Sequence, residues 1–326
     1  MITVVVTGVG AIIGQGIIKS LRQSQHQVRV VGIDRSDDSP GPSLSDVFYL
    51  KPNCDETDHA YLDFWQQLLR HEAVDLVLPG LEVDLYFLND HNALIENTGA
   101  RLAINNRDII NLCADKWFMG EALAKNGMRT IPTCLAANWN AAISELGPPP
   151  LLLKPRRGNG SRGIVRLHEE ADFNYWRNKA ADNWMLQKII GNDSEEYTVG
   201  LFGLGDGTGL EPIIFRRRLS AAGNTLSACV TVEPSIRSET LRLTRIFHPT
   251  GPTNYQFRVE NGLPYLLEIN PRISSSTSLR TSFGYNEAAM SIDFFLLGKT
   301  PAAPTVRSGR AWRYSEDFVT YDRDHF

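Results

Sequence analysis

The feature that most constrains the fold is a run of β-branched residues that ends in closely spaced glycines. The stretch VVVTGVGAIIGQGIIKSLR covers residues 4–22, with glycines at positions 8, 10, 14 and 16. The valines favour a strand, the glycines permit a tight turn, and the apolar residues that follow recur at helical spacing. A second apolar run, VRVVGID, ends at Asp34, roughly 20 residues beyond the turn. This order predicts a strand, a glycine turn and a helix, as at the start of a dinucleotide-binding unit.

The rest of the first hundred residues continues the alternation. Further strands are predicted in VDLVLPG and RLAIN, and helices in YLDFWQQLLRHE and VDLYFLNDHNALIEN. Strands that alternate with helices form a parallel sheet covered on both faces. We therefore predict an α/β fold that begins with a Rossmann-like domain over residues 1–110.

The composition excludes several classes of protein. The chain has 326 residues, of which 42% are apolar and 21% charged, and its net charge is −4. These values are ordinary for a soluble globular protein and give no general reason to expect nucleic acid or a membrane as a partner. The four cysteines form no CxxC pair, which favours reduced thiols. No apolar run approaches the roughly 18 residues of a membrane span and no secretory signal is visible, so a cytoplasmic location is predicted.

From Asp108 onward the pattern changes. RDIINLCADKWFMGEALAKNGM predicts two helices, and LGPPPLLLKP predicts a proline-rich loop before a strand. The runs that follow predict antiparallel strands, among them VENGLPYLL, whose Asn-Gly pair favours a type I′ hairpin turn. NEAAMSIDFFLLG predicts the last helix. The second half is therefore expected to be α+β.

One interpretation of the glycine turn is a nicotinamide oxidoreductase of the short-chain type. Such an enzyme needs a tyrosine and a lysine one helical turn apart and a serine nearby, and Tyr175, Lys179 and Ser161 match that pattern. The context differs, because Ser161 lies in the glycine- and arginine-rich stretch KPRRGNGSRG and Tyr175 on a predicted exposed helix. Many α/β domains also need glycine after the first strand for close packing. This interpretation is kept as an alternative.

A second glycine-rich loop follows the predicted strand LLLKP. Lys154 ends that strand, and Gly158, Gly160, Ser161 and Gly163 follow it. Glycines let backbone N–H groups approach phosphate oxygens, and a lysine adds a compact positive charge. The pattern predicts a phosphate-binding loop, and the alternative is a hairpin tip without a ligand.

Polar residues alternate on a predicted strand in YLLEINPR, residues 265–272. Glu268 and Asn270 point to one face of that strand, and Gln256 on the neighbouring NYQFRV strand could add a third oxygen. Few protein oxygens, completed by water and phosphate, suit Mg²⁺. Arg272 stands beside them, where it could bind a phosphate or an acyl phosphate. We predict a metal site here, and a solvated polar strand face is the alternative.

Two further stretches fit a nucleotide site. In QKIIGNDSEEYTVGL, the apolar KII segment could form a hinge whose backbone meets the edge of a purine, and Glu196 could accept hydrogen bonds from ribose hydroxyls. In ADKWFMGEALAKNGM, Lys116 stands at the start of a predicted helix.

In this order, these motifs resemble the ATP-grasp superfamily, and most closely the ATP-binding modules of the carbamoyl-phosphate synthetase large chain. TNYQFRVENGLPYLLEINPRISSSTSL is very similar to that family's metal-binding segment, and the resemblance covers roughly residues 2–298. It implies a Rossmann-like pre-ATP-grasp domain that does not bind NAD, followed by a two-subdomain ATP-grasp fold. The implied domains are 1–110, 111–300 with subdomains at about 115–190 and 191–300, and a tail at 301–326 of unknown structure.

The resemblance also implies roles for residues. ATP phosphates would contact Lys116, Lys154 and the loop with Gly158, Gly160, Ser161 and Gly163. Adenine would lie against Gln187, Lys188 and Ile189, and ribose against Glu196. Gln256, Glu268 and Asn270 would bind Mg²⁺, or Mn²⁺ in its place. Arg272, Lys154 and Arg218, the last within the Arg216–Arg218 run, are the implied catalytic residues.

The implied activity is that of an ATP-dependent ligase. A carboxylate would be activated as an acyl phosphate and then attacked by an amine or similar nucleophile, so the expected partners are small molecules, with a homodimer left open. Ser275 departs from the family pattern, which resembles NPRxSRSS, and the chain is too short for two ATP sites. Carbamoyl phosphate synthesis is therefore not predicted. A nucleotide-binding regulatory module without ligase activity is the main alternative.

Overall fold

A computed structural model describes residues 1–158, 163–179 and 183–319. The first part of the chain forms a five-stranded parallel sheet with strand order β3-β2-β1-β4-β5. Its elements are β1 (Ile2–Thr7), α1 (Ile12–Arg22), β2 (Val28–Asp34), α2 (Gly41–Leu44), β3 (Val47–Leu50), α3 (His59–His71), β4 (Leu76–Leu78), α4 (Glu82–Asp90), α5 (Asn92–Glu96) and β5 (Arg101–Leu102).

Both faces of this sheet are covered, as its sequence predicts. Val5 and Val77 belong to an apolar cluster with the aromatic side chains of α3, whereas Val4 and Val6 pack with α1 on the other face. Because successive residues of a strand point to opposite faces, the near-continuous apolar runs are those of a sheet buried on both sides. The prediction of a Rossmann-like opening domain is confirmed.

The next part forms a four-stranded antiparallel sheet with strand order β6-β9-β7-β8. Its elements, with the helices around them, are α6 (Arg107–Cys113), α7 (Lys116–Lys125), β6 (Thr133–Cys134), α8 (Trp139–Leu146), β7 (Leu151–Pro155), β8 (Val165–Leu167), α9 (Glu170–Lys179) and β9 (Trp184–Lys188). Trp139, Leu151 and Phe173 belong to the apolar cluster that holds this small sheet against α8 and α9.

A six-stranded antiparallel sheet follows, with strand order β14-β13-β10-β11-β12-β15. Its elements are a 3₁₀ turn (Asp193–Glu195), β10 (Glu196–Leu204), β11 (Ile213–Leu219), β12 (Thr225–Val230), α10 (Pro234–Phe247), β13 (Thr250–Glu260), β14 (Leu263–Asn270), α11 (Thr277–Ser282), α12 (Glu287–Ser291), a π-helical turn (Ile292–Leu296) and β15 (Arg310–Trp312). A parallel sheet followed by two antiparallel sheets is the predicted fold class, which is confirmed.

The hairpin predicted at VENGLPYLL joins β13 to β14. Asn261 has φ 52° and Gly262 has φ 75°, so both central residues adopt the left-handed conformation that a type I′ turn requires. The turn fixes the register in which Gln256 lies opposite Glu268 and Asn254 opposite Asn270. The hairpin therefore brings the predicted metal ligands together.

Several elements differ from the sequence predictions. The strand β3 and the helix α10 were not predicted, and the helix expected over residues 83–97 is divided at His91 into α4 and α5. The predicted last helix is a short α-helix continued by the π-helical turn. None of the helices in the described part of the chain has the length and apolar character that crossing a bilayer requires.

Candidate nucleotide-binding cleft

A cleft of about 550 Å³ lies where the three sheets meet. Its walls come from the small sheet, from the large sheet, and from the turn before α4 in the parallel-sheet domain. Seven basic side chains line it, namely Lys116, Lys154, Arg166, Lys188, Arg217, Arg258 and Arg272, against the three carboxylates of Glu82, Glu196 and Glu268. This excess of positive charge in a chain of net charge −4 favours a polyanionic ligand.

Two lysines from different elements meet at the small-sheet wall of the cleft. Lys154 lies in β7 and is only 7% exposed, whereas Lys116 is the first residue of α7 and its Nζ donates to the carbonyl of Gly158 at 2.6 Å. Burial lowers the pKa of Lys154 to about 8; the Glu268 carboxylate opposes that shift and the Lys116 ammonium adds to it. Among the described residues, the lysine that forms an ion pair is Lys51, with Asp84, whereas neither Lys116 nor Lys154 has a carboxylate within 4.0 Å.

The root of the glycine loop is fixed by Asp115. This residue caps α7 by accepting from the Trp117 N–H at 2.9 Å, and it also accepts from Arg156 Nη2 at 2.9 Å. Arg156 in turn accepts from the Lys116 N–H through its carbonyl at 3.0 Å. Gly158 lines the cleft, and Gly163 lies just after the loop with φ 74°. Gly160 and Ser161, which were also predicted to bind phosphate, lie outside the described residues.

The predicted hinge lies along the same wall. Gln187, Lys188 and Ile189 all line the cleft, and β9 ends at Lys188. Gln187 is buried and donates from Nε2 to Thr133 Oγ1 at 2.9 Å, and the Lys188 N–H donates to the carbonyl of Pro132 at 2.9 Å. These bonds anchor the hinge to the strand and loop beside it.

Glu196, the predicted ribose acceptor, is buried between two arginines. Its Oε1 accepts from Arg217 Nη2 at 3.0 Å, and its Oε2 accepts from Arg258 Nη2 at 3.0 Å and Nε at 3.2 Å. The carboxylate thus neutralises part of the charge of both guanidinium groups while it lines the cleft. Its role toward ribose stays a prediction.

The predicted metal ligands form one hydrogen-bonded group. Glu268 Oε1 accepts from Gln256 Nε2 at 2.6 Å and from Asn270 Nδ2 at 2.9 Å. Within the described ranges, no three His, Cys, Asp or Glu side chains converge. A cation at this place would therefore have one carboxylate and amide oxygens as protein ligands, and would need phosphates and water for the rest, which is the pattern that suits Mg²⁺. The donor set fits the predicted ion.

A bulge in β14 interrupts the regular alternation of its side chains between the two faces of the sheet. The register between β13 and β14 shifts after Gln256, so that Phe257 faces Leu266 and Leu267 has no partner. Leu267 lines the cleft next to Glu268, whereas Leu266 is buried in the core. Bulges of this kind redirect a side chain and are frequent beside active sites.

Arg272 connects the strand that carries the predicted metal ligands to the parallel-sheet domain. Its Nη2 donates to Glu82 Oε1 at 2.6 Å, and its Nη1 donates to the carbonyl of Ile273 at 3.0 Å. Glu82 is the first residue of α4, so this ion pair ties the parallel-sheet domain to the end of β14. Arg272 lines the cleft, and its Nε is buried without a hydrogen-bond partner among the described residues.

The structure does not place Arg218, predicted as catalytic, in the cleft. Side chains alternate along β11, so Arg216 and Arg218 are exposed on the opposite face while Arg217 is buried and lines the cleft. Tyr175 is also exposed, on α9, and does not line the cleft. Of the three consecutive arginines, Arg217 is therefore the one whose side chain lines the cleft, whereas the prediction had chosen its neighbour Arg218.

The arrangement of one parallel and two antiparallel sheets around a basic cleft is that of the ATP-grasp fold with a Rossmann-like first domain, and the resemblance predicted from the sequence is confirmed. Residues 181–318 match the family model described as ATP-grasp in the biosynthetic pathway with Ter operon, and residues 4–103 match the PylC-like N-terminal domain.

Known proteins resemble the whole chain at low sequence identity. The carbamoyl phosphate synthase large chain of Thermotoga sp. (strain RQ2) is 23% identical over 94% of this chain, which spans only 30% of that relative. The N5-carboxyaminoimidazole synthetase of Staphylococcus aureus, solved with ADP, superposes with a TM-score of 0.71 at 18% identity, covering 94% of this chain and 80% of its own. The biotin carboxylase domain of the Hydrogenobacter thermophilus 2-oxoglutarate carboxylase, solved with MgADP, ADP and bicarbonate, gives 0.70 at 17%, covering 94% and 73%.

Proposed function

We propose that this protein is an ATP-dependent ligase that activates a small carboxylate as an acyl phosphate and transfers the acyl group to an amine. The observation that carries the proposal is the pairing of an excess of cations with an oxygen-rich group for a divalent metal in one cleft. A polyanion with a bound cation fits both halves of that cleft. The similar synthetase and carboxylase structures hold ADP and MgADP, which supports ATP and Mg²⁺ as the ligands.

The proposed reaction has two steps. A carboxylate oxygen attacks the γ-phosphorus of ATP, and the bond to the β-phosphate oxygen breaks to release ADP. The amine nitrogen then attacks the acyl carbon, phosphate leaves, and the nitrogen loses a proton. Positioning and charge neutralisation supply most of the catalysis in phosphoryl transfer.

The residues of the cleft divide this work. Lys116 and Lys154 would hold the phosphates, and Glu268 and Asn270 would hold Mg²⁺, which neutralises phosphate charge. Arg272, which lines the cleft, would stabilise the transferred phosphoryl group. A side-chain nucleophile is not part of the proposal.

A screen for ADP release tests the proposal. Purified protein with MgATP is incubated with each amino acid or simple carboxylic acid, alone and paired with amines. ADP release that requires both an acid and an amine, with one equivalent of amide per ADP, supports the ligase. Tight MgATP binding without turnover in any pair would favour the regulatory nucleotide-binding module instead. The homodimer and the cytoplasmic location remain proposals that this screen does not address.

A further inference from the structure

β15 forms an edge of the large sheet. It is the last strand in the sheet order, and within the described residues no strand pairs with its outer side. On the inner side, the Arg313 N–H and the carbonyl of Gly309 form hydrogen bonds with the backbone of β12. Because such bonds alternate along an antiparallel strand, the backbone N–H and C=O groups of Arg310 and Trp312 point away from β12. The outer side therefore presents backbone groups that can pair with another strand.

The side chains at this edge are large and exposed. Trp312 is 66% exposed, and Tyr314, which follows the strand, is 81% exposed. Tyrosine, tryptophan and arginine are the residue types enriched in protein interfaces and in their hot spots. A sheet edge with unpaired backbone groups and exposed apolar side chains is a template for pairing with a second chain. The composition of this edge therefore favours a contact surface.

The charges around β15 change sign along the chain. Residues 307–313 contain three arginines and no carboxylate, whereas residues 314–317 contain two carboxylates and no basic residue. The last ion pair along the described chain joins Arg280 to Glu287, so none of these five charged side chains has an ion-pair partner there. The segment therefore has a cationic half and an anionic half, each unpaired in the described part of the chain.

Two such segments in antiparallel orientation match these halves. With Trp312 opposite its own counterpart, Arg307 lies opposite the partner's Asp317, and Arg310 lies opposite the partner's Tyr314. This register places no two like charges directly opposite each other. Opposite charges and aromatic pairs across neighbouring strands both stabilise a sheet. The segment is therefore complementary to a second copy of itself.

We propose that this edge is a homodimer interface, in which the β15 strands of two copies pair in antiparallel orientation about Trp312. The two large sheets then form one continuous sheet, and each copy covers the open edge of the other. The interface also adjoins the cleft, since Arg313 Nη2 donates to the carbonyl of Ser275, which lines the cleft. The inference does not depend on the proposed ligase activity, because it concerns association alone.

Sedimentation velocity on the full chain tests the association. The wild type is measured from about 1 to 200 µM at about 50 and 500 mM NaCl, and a dimer has twice the chain mass of 36.4 kDa. We expect a Kd on the order of 10 µM at low salt, rising several-fold at high salt because exposed charges are screened. Trp312→Ala should raise the Kd about tenfold or more. Arg218→Gln removes an exposed arginine of β11 away from the edge and should leave the Kd within about twofold.

A charge swap tests the antiparallel register. Arg307→Asp brings two carboxylates opposite each other and Asp317→Arg two guanidinium groups, so each variant alone should raise the Kd roughly 3- to 20-fold. An equimolar mixture of the two variants restores opposite charges at both positions. We expect this mixture to form a heterodimer with a Kd within about threefold of the wild type. Mixing would not correct a folding defect, so the mixture separates misfolding from loss of the contact.

A cross-link gives an independent measure of the same register. Residues opposite each other in a hydrogen-bonded antiparallel pair have Cα atoms about 5.5 Å apart, a distance that a disulfide can span. Trp312→Cys, oxidised with diamide, should therefore give a covalent dimer on a non-reducing gel. Arg218→Cys, on the same sheet but away from the edge, should give no more dimer than the wild type.

Three results would overturn the inference. The wild type could stay monomeric at every concentration, which would exclude the dimer. Self-association that Trp312→Ala leaves unchanged, or a Trp312→Cys variant that forms no covalent dimer, would place the interface elsewhere. A mixture of Arg307→Asp and Asp317→Arg that associates no better than either variant alone would contradict the antiparallel register.

Discussion

Two glycine-rich regions of this chain look alike in sequence and differ in the structure. The turn after β1 has the glycines of a dinucleotide site, and the loop after β7 has those of a phosphate site. At the first turn, the Gly10 N–H donates to the carboxylate of Asp34. The second loop borders a cleft in which basic side chains outnumber carboxylates. The difference teaches that a glycine turn indicates an anionic ligand when the cations beside it outnumber the carboxylates.

The turn after β1 is closed by its own neighbours. Asp34, placed where an acid could hold a ribose, accepts from the Gly10 N–H at 2.8 Å and from the Arg35 N–H at 2.7 Å. A Cβ at Gly14 would lie 2.2 Å from the carbonyl oxygen of Gly8, so this glycine permits the close approach of α1 to β1. The glycines here serve packing.

The largest expected effect is on kcat and follows from a substitution of Glu268, a predicted metal ligand. Glu268→Gln keeps the volume of the side chain but removes the negative charge that would hold Mg²⁺. By analogy with losing one preorganised electrostatic contact, kcat should fall roughly 10²- to 10³-fold. The measurement is ATP-dependent phosphate release with the acid and amine found by the screen.

Tyr175→Phe is the matched control for the same assay. Tyr175 is exposed on α9, where its OH lies 2.5 Å from Lys179 Nζ, and it does not line the cleft. Its loss should change turnover by less than twofold. Near wild-type turnover in Glu268→Gln together with an inactive Tyr175→Phe would overturn the ATP-grasp mechanism in favour of the oxidoreductase.

The next effect concerns ATP affinity. Lys154→Met keeps the aliphatic stem but removes the buried ammonium, which would contribute about 1.5–3 kcal/mol as a charged hydrogen-bond donor. The Kd for MgATP, measured by calorimetry, should rise roughly 10- to 100-fold. Lys179→Met on the exposed helix α9 is the control and should leave the Kd unchanged.

The packing role of the first glycine turn predicts an effect on stability alone. Gly14→Ala should lower the free energy of unfolding by roughly 1–3 kcal/mol, since backbone atoms of Gly8 and Val9 occupy the space of the added methyl group. Gly120→Ala in α7 meets nothing within 4 Å and should be neutral or stabilising. Thermal unfolding measures both. A loss of MgATP affinity in folded Gly14→Ala would contradict the assignment of this turn to packing.

The pH dependence of ATP binding has the smallest expected effect. With a pKa of about 8, Lys154 loses its charge as the pH rises through 8, so MgATP affinity should fall by up to about tenfold between pH 8 and 9.5. The unfolded chain binds more protons than the folded chain in this window, so the contribution of Lys154 to stability rises with pH there. Calorimetry in two buffers should detect proton uptake on binding at pH 8.5, and Lys154→Met should abolish it.

Much of the fold could be predicted because the sequence patterns are local. Apolar runs predicted most of the strands. Asn261 and Gly262 predicted the hairpin turn that places Gln256 opposite Glu268. The missed features depend on contacts distant in the chain. Nothing local to Glu82 indicates that it pairs with Arg272, 190 residues away, and nothing local to Arg313 indicates that it reaches Ser275.

The position of Arg218 outside the cleft has a different cause. Three consecutive arginines in β11 give no sign of which face meets the cleft, because that depends on the register with β10 and β12. A bulge can also change the face of a residue, as Leu267 shows in β14. Register and bulges are set by the whole sheet, so side-chain direction at the site could not be read from these segments alone.

The most direct test of the central claim compares two nucleotides on the wild-type protein. At about 100 times its Kd, a ligand adds roughly 2.7 kcal/mol to the free energy of unfolding, which for a chain of this size raises the Tm by several degrees. MgATP should give this rise, Lys154→Met should reduce it by about half or more at the same concentration, and NADH should give none. A rise with NADH and none with MgATP would contradict the account and place the nucleotide at the glycine turn of the first domain.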